Sequence, residues 1–163
     1  MPDKPLPIEQ ILSILAESPR RIATHMDGLT AGQLSSAPRP DEWSANEVLA
    51  HLRSCVDVWG DYIRVIVTEE RPTIRAINPR TWIKRTDYPE LPFQTSFQAF
   101  AAQRNDLLAF LESLAPADWA RSTTITGAGR PLERTVHFYA QWLATHERPH
   151  VKQLGRVATT MRG

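Results

Sequence analysis

The sequence predicts an all-α protein, a four-helix bundle with a long crossover between the second and third helices. Four long segments place apolar residues three and four positions apart, which is the period of an α-helix. No segment shows the pattern expected of a sheet core. The 163 residues are enough for one domain with one hydrophobic core, so we expect residues 1–163 to form a single bundle.

The first two predicted helices have clear local signals. The first runs from about Ile8 to Leu29, and Pro19 inside it should kink or restart the helix. The second follows Ser44, which can accept a hydrogen bond from a backbone N–H, while Glu47 three residues later can reach back to the Ser44 backbone. Apolar residues then continue at helical spacing towards Ile66, so a long amphipathic helix is expected.

The second half of the chain contains the crossover and the other two helices. The stretch from Arg71 to Pro92 has four prolines and is predicted to be the crossover, held on the bundle by Trp82 and Tyr88. The third helix is expected from about Phe93 to Leu114, followed by a short helical turn at residues 116–119. Residues 123–129 favour a brief extended piece or hairpin. The fourth helix is predicted to begin near Pro131 and to continue towards Ala158.

Composition excludes several classes of function. The formal net charge is +1, so the chain has no overall field that would attract nucleic acid or a membrane, and neither is an expected partner. No segment is apolar enough for a membrane helix, and residues 1–10 lack the layout of a signal peptide. The single cysteine, Cys55, excludes an intramolecular disulfide and a Cys-rich zinc site. These features favour a cytoplasmic protein.

Three histidines are the candidate metal ligands. His146 and His150 are four positions apart on the fourth predicted helix, so their side chains lie about 40° apart on one face. His51, at the edge of the apolar stripe of the second helix, could complete the site from across the bundle. Three imidazoles with open positions would make a reactive metal centre rather than a structural one. The alternative is three unrelated polar residues, some of them hydrogen-bonded inside the core.

We expect His146 and His150 to point inwards, because they share a face of the fourth helix with Tyr139, Leu143 and Leu154. Trp142 is also expected to anchor this helix by burial. His137 lies on roughly the opposite side of the same helix and is predicted to lie at the surface or in an interface, so we do not expect it to be a ligand. His25 is expected to have no role beyond a favourable charge near a helix end.

Residues 146–150 also match H-E-x-x-H, the pattern of zinc proteases. Three features argue against a peptidase: Pro149 should distort the helix, the third histidine lies upstream, and no strand is predicted to hold a peptide. Glu147 is about 100° from His146 and should lie at the edge of the site, which leaves it a candidate for orienting a ligand or moving a proton. Cys55, one turn after His51, could approach the site, although such a cysteine usually only packs.

Three blocks of this sequence resemble one family. Residues 42–52, EWSANEVLAHL, resemble the WS-x-x-E-V-x-x-H-L signature of the DinB-like superfamily, the damage-inducible and YfiT-type bundle proteins. Residues 100–104, FAAQR, match its F-x-x-x-R block, and residues 146–154, HERPHVKQL, are similar to its H-E-x-x-H-x-x-Q-L ending. The blocks occur in the family's order and spacing, so the resemblance covers nearly the whole chain. The main departure is Pro149, between the paired histidines.

The resemblance implies a homodimeric four-helix bundle in which His51, His146 and His150 hold a divalent ion, most often assigned as zinc or nickel. Some members of the family are thiol S-transferases that use bacillithiol, mycothiol or glutathione, others are called metal-dependent hydrolases, and many have no known reaction. We therefore expect a metal-dependent thiol S-transferase that acts on a small-molecule thiol and an electrophile. The alternatives are a metal-dependent hydrolase and a non-catalytic stress-response or binding bundle.

Overall fold

Four long helices form the body of the protein. The computed structural model describes residues 4–163, in which the long helices are α1 (Ile8–Met26), α3 (Ala45–Thr68), α5 (Phe93–Glu112) and α7 (Val136–Arg162), with short helices α2 (Ala31–Ser35), α4 (Pro79–Trp82) and α6 (Pro116–Trp119) in the connections. Helix α7 packs against α1 and α3, and α5 packs against the same two helices. The four helices therefore enclose one apolar core, which confirms the predicted bundle.

A small sheet lies at one end of the bundle. Strand β1 (Thr73–Arg75) pairs in parallel with β2 (Ser122–Thr126), which pairs antiparallel with β3 (Leu132–Thr135). The predicted hairpin is confirmed, and its turn uses positive φ angles at Gly127 and Gly129. The crossover adds β1 as a third strand beside this hairpin, which the sequence analysis did not predict.

The sheet also explains where α7 begins. The residues after Pro131 belong to β3 instead of the helix, and the Thr135 hydroxyl accepts a hydrogen bond from the Phe138 N–H at 3.0 Å. Helix α7 therefore begins at Val136, later than the predicted start near Pro131.

One carboxylate on α3, that of Asp57, binds both residues predicted to anchor the crossover. Asp57 Oδ2 accepts hydrogen bonds from the Trp82 indole at 3.1 Å and from the Tyr88 hydroxyl at 2.6 Å. The Arg53 guanidinium lies over the Tyr88 ring, 3.6 Å from its centroid. The two aromatic residues predicted to anchor the crossover do so, through polar tips that meet a partner on the bundle.

Two prolines lie inside long helices without interrupting them. Helix α1 continues through Pro19 and α7 continues through Pro149, so the restart that Pro19 could have caused is absent and Pro149 does not break its helix. Pro19 has no N–H to give to the Leu15 carbonyl, one helical turn earlier. Arg104 on α5 supplies the missing donor, with its Nη1 2.9 Å from that carbonyl oxygen. None of the described helices is long and apolar enough to cross a membrane.

Candidate metal centre

His51 is placed by a well-capped helix. The Ser44 hydroxyl accepts from the Glu47 N–H, and the Glu47 carboxylate accepts from the Ser44 N–H, each at 3.1 Å, so α3 begins with the predicted capping box. His51 follows two turns later on the side that faces the core. Its side chain is only 5% exposed, and its Nε2 lies 3.6 Å from the Cys55 Sγ.

The three predicted histidines come together across the bundle. The ring centroids of His51 and His146 are 5.3 Å apart, and His150 lies 4.9 Å from each of the other two. Helices α3 and α7 pack directly against each other, which brings His51 opposite the pair on α7. His146 and His150 therefore lie on one face of α7, as the sequence predicted.

The ring nitrogens differ in their partners. His150 Nδ1 is 3.0 Å from the Gln153 amide oxygen, so a proton on Nδ1 would donate to Gln153 and leave Nε2 free to bind a metal. His146 Nδ1 is buried and has no hydrogen-bond partner among the described residues. A buried nitrogen without a partner is costly, and a metal ion would satisfy it.

Cys55 joins the cluster more closely than the sequence suggested. One ligand atom from each of His51, Cys55 and His146 lies within 4.8 Å of the other two. Two ligands of a tetrahedral zinc ion, one nitrogen and one sulfur, are about 3.5–3.6 Å apart at ordinary bond lengths. The observed separation of 3.6 Å between His51 Nε2 and Cys55 Sγ matches that distance. The position of Cys55 one helical turn after His51 was the signal in the sequence that it could approach the site.

Aromatic rings surround the histidines. The Trp43 ring is nearly parallel to His150, with centroids 6.5 Å apart, and Trp59 meets His146 edge-on at 5.1 Å. Trp142 lies beside His146 at 6.0 Å but is 41% exposed, so its predicted role as a buried anchor is wrong. The rings of Trp43, Trp59 and Trp142 give the cluster an apolar wall.

Burial keeps His51 and His146 neutral. Burial, followed by the neighbouring histidines and the positive charge of Arg80, lowers the pKa of His51 to about 4, and the same order of causes lowers the pKa of His146 to about 4. Burial and the nearby Glu147 raise the pKa of Cys55. At neutral pH both imidazoles are therefore in the form that binds a metal, and the thiol holds its proton.

Glu147 does not lie at the edge of the site as predicted. Its side chain is 1% exposed and forms an ion pair with Arg104, which is also 1% exposed. The second contact, between Arg104 Nη1 and Glu147 Oε2, is 3.0 Å long. Both carboxylate oxygens are engaged, so Glu147 is a structural residue and not a free base. Arg104 belongs to the F-x-x-x-R block, and its guanidinium lies over the Phe100 ring, 5.0 Å from the centroid.

The other two histidines lie away from the cluster. His137 Nε2 is 2.8 Å from the Leu6 carbonyl oxygen, and its ring packs on Trp119 rather than facing open solvent. His25 packs against the backbone of α7 at Gly155, and its Nε2 is buried without a partner among residues 4–163. Neither ring belongs to the cluster formed by His51, His146 and His150.

The donor atoms fit a divalent metal ion. Ligand atoms of His51, Cys55 and His146 lie within 4.8 Å of one another, and the His150 ring centroid lies 4.9 Å from those of the other two histidines. Imidazole and thiolate ligands suit zinc and nickel better than magnesium or calcium. The unpartnered His146 Nδ1 and the Gln153 contact to His150 are the features expected around such ligands.

Comparison with known proteins agrees with this geometry. The chain is 25% identical over 150 residues to a protein of Oceanobacillus iheyensis that is provisionally named a metal-dependent hydrolase, with 90% of this chain and 85% of the relative covered. A relative from Geobacillus kaustophilus with the same provisional name is 26% identical, with 90% and 83% covered.

A solved structure shares the fold. YfiT from Bacillus subtilis, described with an unusual four-helix bundle topology and inferred to be a metal-dependent hydrolase, superposes with a TM-score of 0.73 at 20% identity, covering 96% of this chain and 91% of that one. Residues 14–154 match the DinB superfamily, a span that contains all three clustered histidines and Arg104. This chain belongs to the DinB superfamily.

Proposed function

We propose that this protein is a metal-dependent thiol S-transferase, in which His51, His146 and His150 hold a zinc or nickel ion and a small-molecule thiol is joined to an electrophile. When bound, the ion supplies Lewis acidity, which favours loss of the proton from a thiol or a water molecule at neutral pH. The convergence of the three imidazoles supports the metal site, and the DinB membership supports a metal-dependent reaction.

The ion pair between Glu147 and Arg104 is the observation that favours thiol chemistry over hydrolysis. In H-E-x-x-H proteases the glutamate acts as the general base that activates water. Here both oxygens of that carboxylate are bound by Arg104 in a buried pair. Because an unperturbed thiol has a pKa of about 8.5 and water one of about 15.7, a thiol needs far less help to lose its proton. A site whose motif carboxylate is occupied is therefore better suited to a thiol nucleophile.

The chain's own residues would orient and stabilise the reactants. Gln153 fixes the ring of His150 through Nδ1. The guanidinium of Arg80 lies over Trp43, 5.2 Å from the ring centroid, and its charge reaches His51 and His146. A positive charge beside the cluster favours an anionic nucleophile or leaving group over its neutral form. Trp43 and Trp59 cover the histidines and limit the access of bulk water.

A metal-dependent hydrolase is the second candidate. The provisional names of the relatives from Oceanobacillus iheyensis and Geobacillus kaustophilus favour it. The same histidines would hold the ion, and water would replace the thiol as the nucleophile. The two candidates differ in what is consumed, so one set of assays separates them.

The test uses protein purified without added metal and the same protein loaded with zinc or nickel. Metal per chain is measured by mass spectrometry. Consumption of glutathione, bacillithiol and mycothiol with a chromogenic electrophile is compared with hydrolysis of a chromogenic ester. His146→Gln should lose the metal and the activity, whereas His137→Gln, on the same helix but outside the cluster, should keep both.

Thiol consumption that requires the metal is the expected result. Ester hydrolysis without thiol consumption would favour the hydrolase. Stoichiometric metal with neither activity would favour a binding or structural bundle, and failure of the three histidines to bind metal would contradict the proposal as a whole.

A further inference from the structure

A wide basic groove lies beside the histidine cluster. Its volume is about 900 Å³. Five cationic side chains and a single carboxylate, Glu42, line it; the cations are Arg21 on α1, Arg39 before α3, and Lys152, Arg156 and Arg162 on α7. These residues are far apart in sequence, so the packing of α7 against α1 is what collects them.

No groove cation forms an ion pair with a carboxylate within residues 4–163, although Glu17 lines an adjacent pocket together with Arg21. Across residues 4–163 the only ion pair closer than 4.0 Å is that between Arg104 and Glu147, which lies elsewhere in the core. With five cations and one carboxylate the groove has a local charge of +4, whereas the whole chain has +1. The rest of the protein is therefore net negative, and the groove concentrates the positive potential on one concave surface.

The groove is joined to the cluster by two shared residues. Trp43 and Gln153 both line the groove, and both contact His150, through the parallel rings and the Nδ1 hydrogen bond. A ligand in the groove would thus lie against the side chains that position one of the candidate metal ligands.

Part of the groove wall is already ordered. Arg162 Nη2 donates to the carbonyl oxygens of His25 and Asp27, at 2.9 and 2.7 Å, which fixes this guanidinium against the end of α1. Arg21 and Arg156 are exposed, and no hydrogen bond from either guanidinium is recorded within residues 4–163. Their donors are therefore available to a ligand.

We propose that this groove binds the anionic part of the substrate, a small molecule with phosphate or carboxylate groups, and holds it beside His150. This assignment of a substrate class rests on the proposed function. Guanidinium groups bind planar and tetrahedral anions through paired N–H donors. The volume lies within the range of small-molecule sites, roughly 300–1,000 Å³. A nucleic-acid surface would instead be an extended basic stripe, which favours the small anion.

The test compares two double variants in the full chain. Arg21→Gln with Arg156→Gln removes two groove charges, one from each wall. Arg20→Gln with Arg148→Gln removes two exposed charges from the same helices outside the groove lining. Binding of inorganic phosphate, of succinate and of a short DNA duplex is measured by calorimetry at fixed ionic strength, together with metal content and the melting temperature.

We expect the wild type and the control to bind at least one of the two small anions with one site per chain. The groove variant should bind it about tenfold more weakly or worse, because two charge-assisted contacts are lost. Preference for phosphate or for succinate identifies which anion the substrate carries. Metal content should be equal in all three proteins, since neither Arg21 nor Arg156 is among the residues that contact His51, His146 or His150.

Three results would overturn the inference: no binding of either small anion by folded wild-type protein, equal loss in the groove variant and its control, or binding of the duplex alone. Anion binding by a protein that takes up no metal would support the anion site in the groove but contradict the proposed function. Metal uptake and thiol consumption without anion binding would support the proposed function and contradict the assignment of the groove.

Discussion

Replacing Glu147 with glutamine should destabilise the protein severely without removing a catalytic base. The change keeps the size of the side chain but leaves the Arg104 guanidinium without its counter-charge at a position that is 1% exposed. Removing one partner of a buried ion pair costs about 3–5 kcal/mol. Because domains of this size are stable by about 5–15 kcal/mol, we expect the free energy of unfolding to fall by about a fifth or more.

The contact between Arg104 and the Leu15 carbonyl makes a sharper version of this test possible. In a variant with Arg104→Met and Glu147→Leu both charges are gone, so much of the loss should be recovered. Recovery should be incomplete, because the Leu15 carbonyl then has neither Arg104 nor an N–H from Pro19. Adding Pro19→Ala supplies that N–H and should return a further ~1–3 kcal/mol, the usual cost of an unsatisfied buried polar group.

Urea unfolding followed by circular dichroism, with linear extrapolation to water, measures all four proteins. Glu17→Gln, an exposed carboxylate on α1, is the control and should change stability by no more than about 0.5 kcal/mol. Two outcomes would refute the reasoning. The first is a loss below about 1 kcal/mol in Glu147→Gln. The second is a Glu147→Gln protein of unchanged stability that binds metal but has lost its turnover, which would make Glu147 a catalytic base.

Three further predictions concern the histidines, the cysteine and one glycine. The metal-free protein should be most stable above pH 6.5 and should lose stability as the pH falls from 6.5 towards 4. The reason is that the unfolded histidines take up protons at about pH 6.5, whereas folded His51 and His146 resist protonation until about pH 4. Urea titrations across this range should show the free energy of unfolding falling with pH, and this dependence should be weaker in the double variant His51→Gln with His146→Gln. Cobalt bound to the wild type should show a near-ultraviolet thiolate charge-transfer band that is lost in Cys55→Ser, and a wild-type spectrum without that band would show that Cys55 only packs beside the ligands. Replacing a helical glycine with alanine usually raises the free energy of unfolding by about 1 kcal/mol, but Gly155→Ala should not, because the new Cβ would lie 3.0 Å from His25 Cε1. The gain in stability should return when His25 is also replaced by alanine. An equal effect of Gly155→Ala with and without His25 would contradict this contact.

Local sequence patterns were sufficient for the bundle and for the direction of the histidine pair. The spacing of apolar residues identified the four long helices, and the Ser44–Glu47 capping box marked the start of α3. Helical geometry alone turns positions 146 and 150 to one face. These features depend on residues within one or two turns of each other, which is why no tertiary information was needed.

Tertiary structure decided which residues share the site and which do not. Glu147 was predicted at the edge from its angle on the helix, but α7 packs against both α1 and α3, so the buried sector of α7 is wide enough to include it. Its partner Arg104 is 43 positions away, and no local pattern pairs them. The approach of Cys55 to His146, the addition of β1 to the hairpin and the collection of cations from α1 and α7 into one groove also depend on how distant elements pack. Periodicity describes one helix at a time, whereas these contacts depend on the relative placement of several.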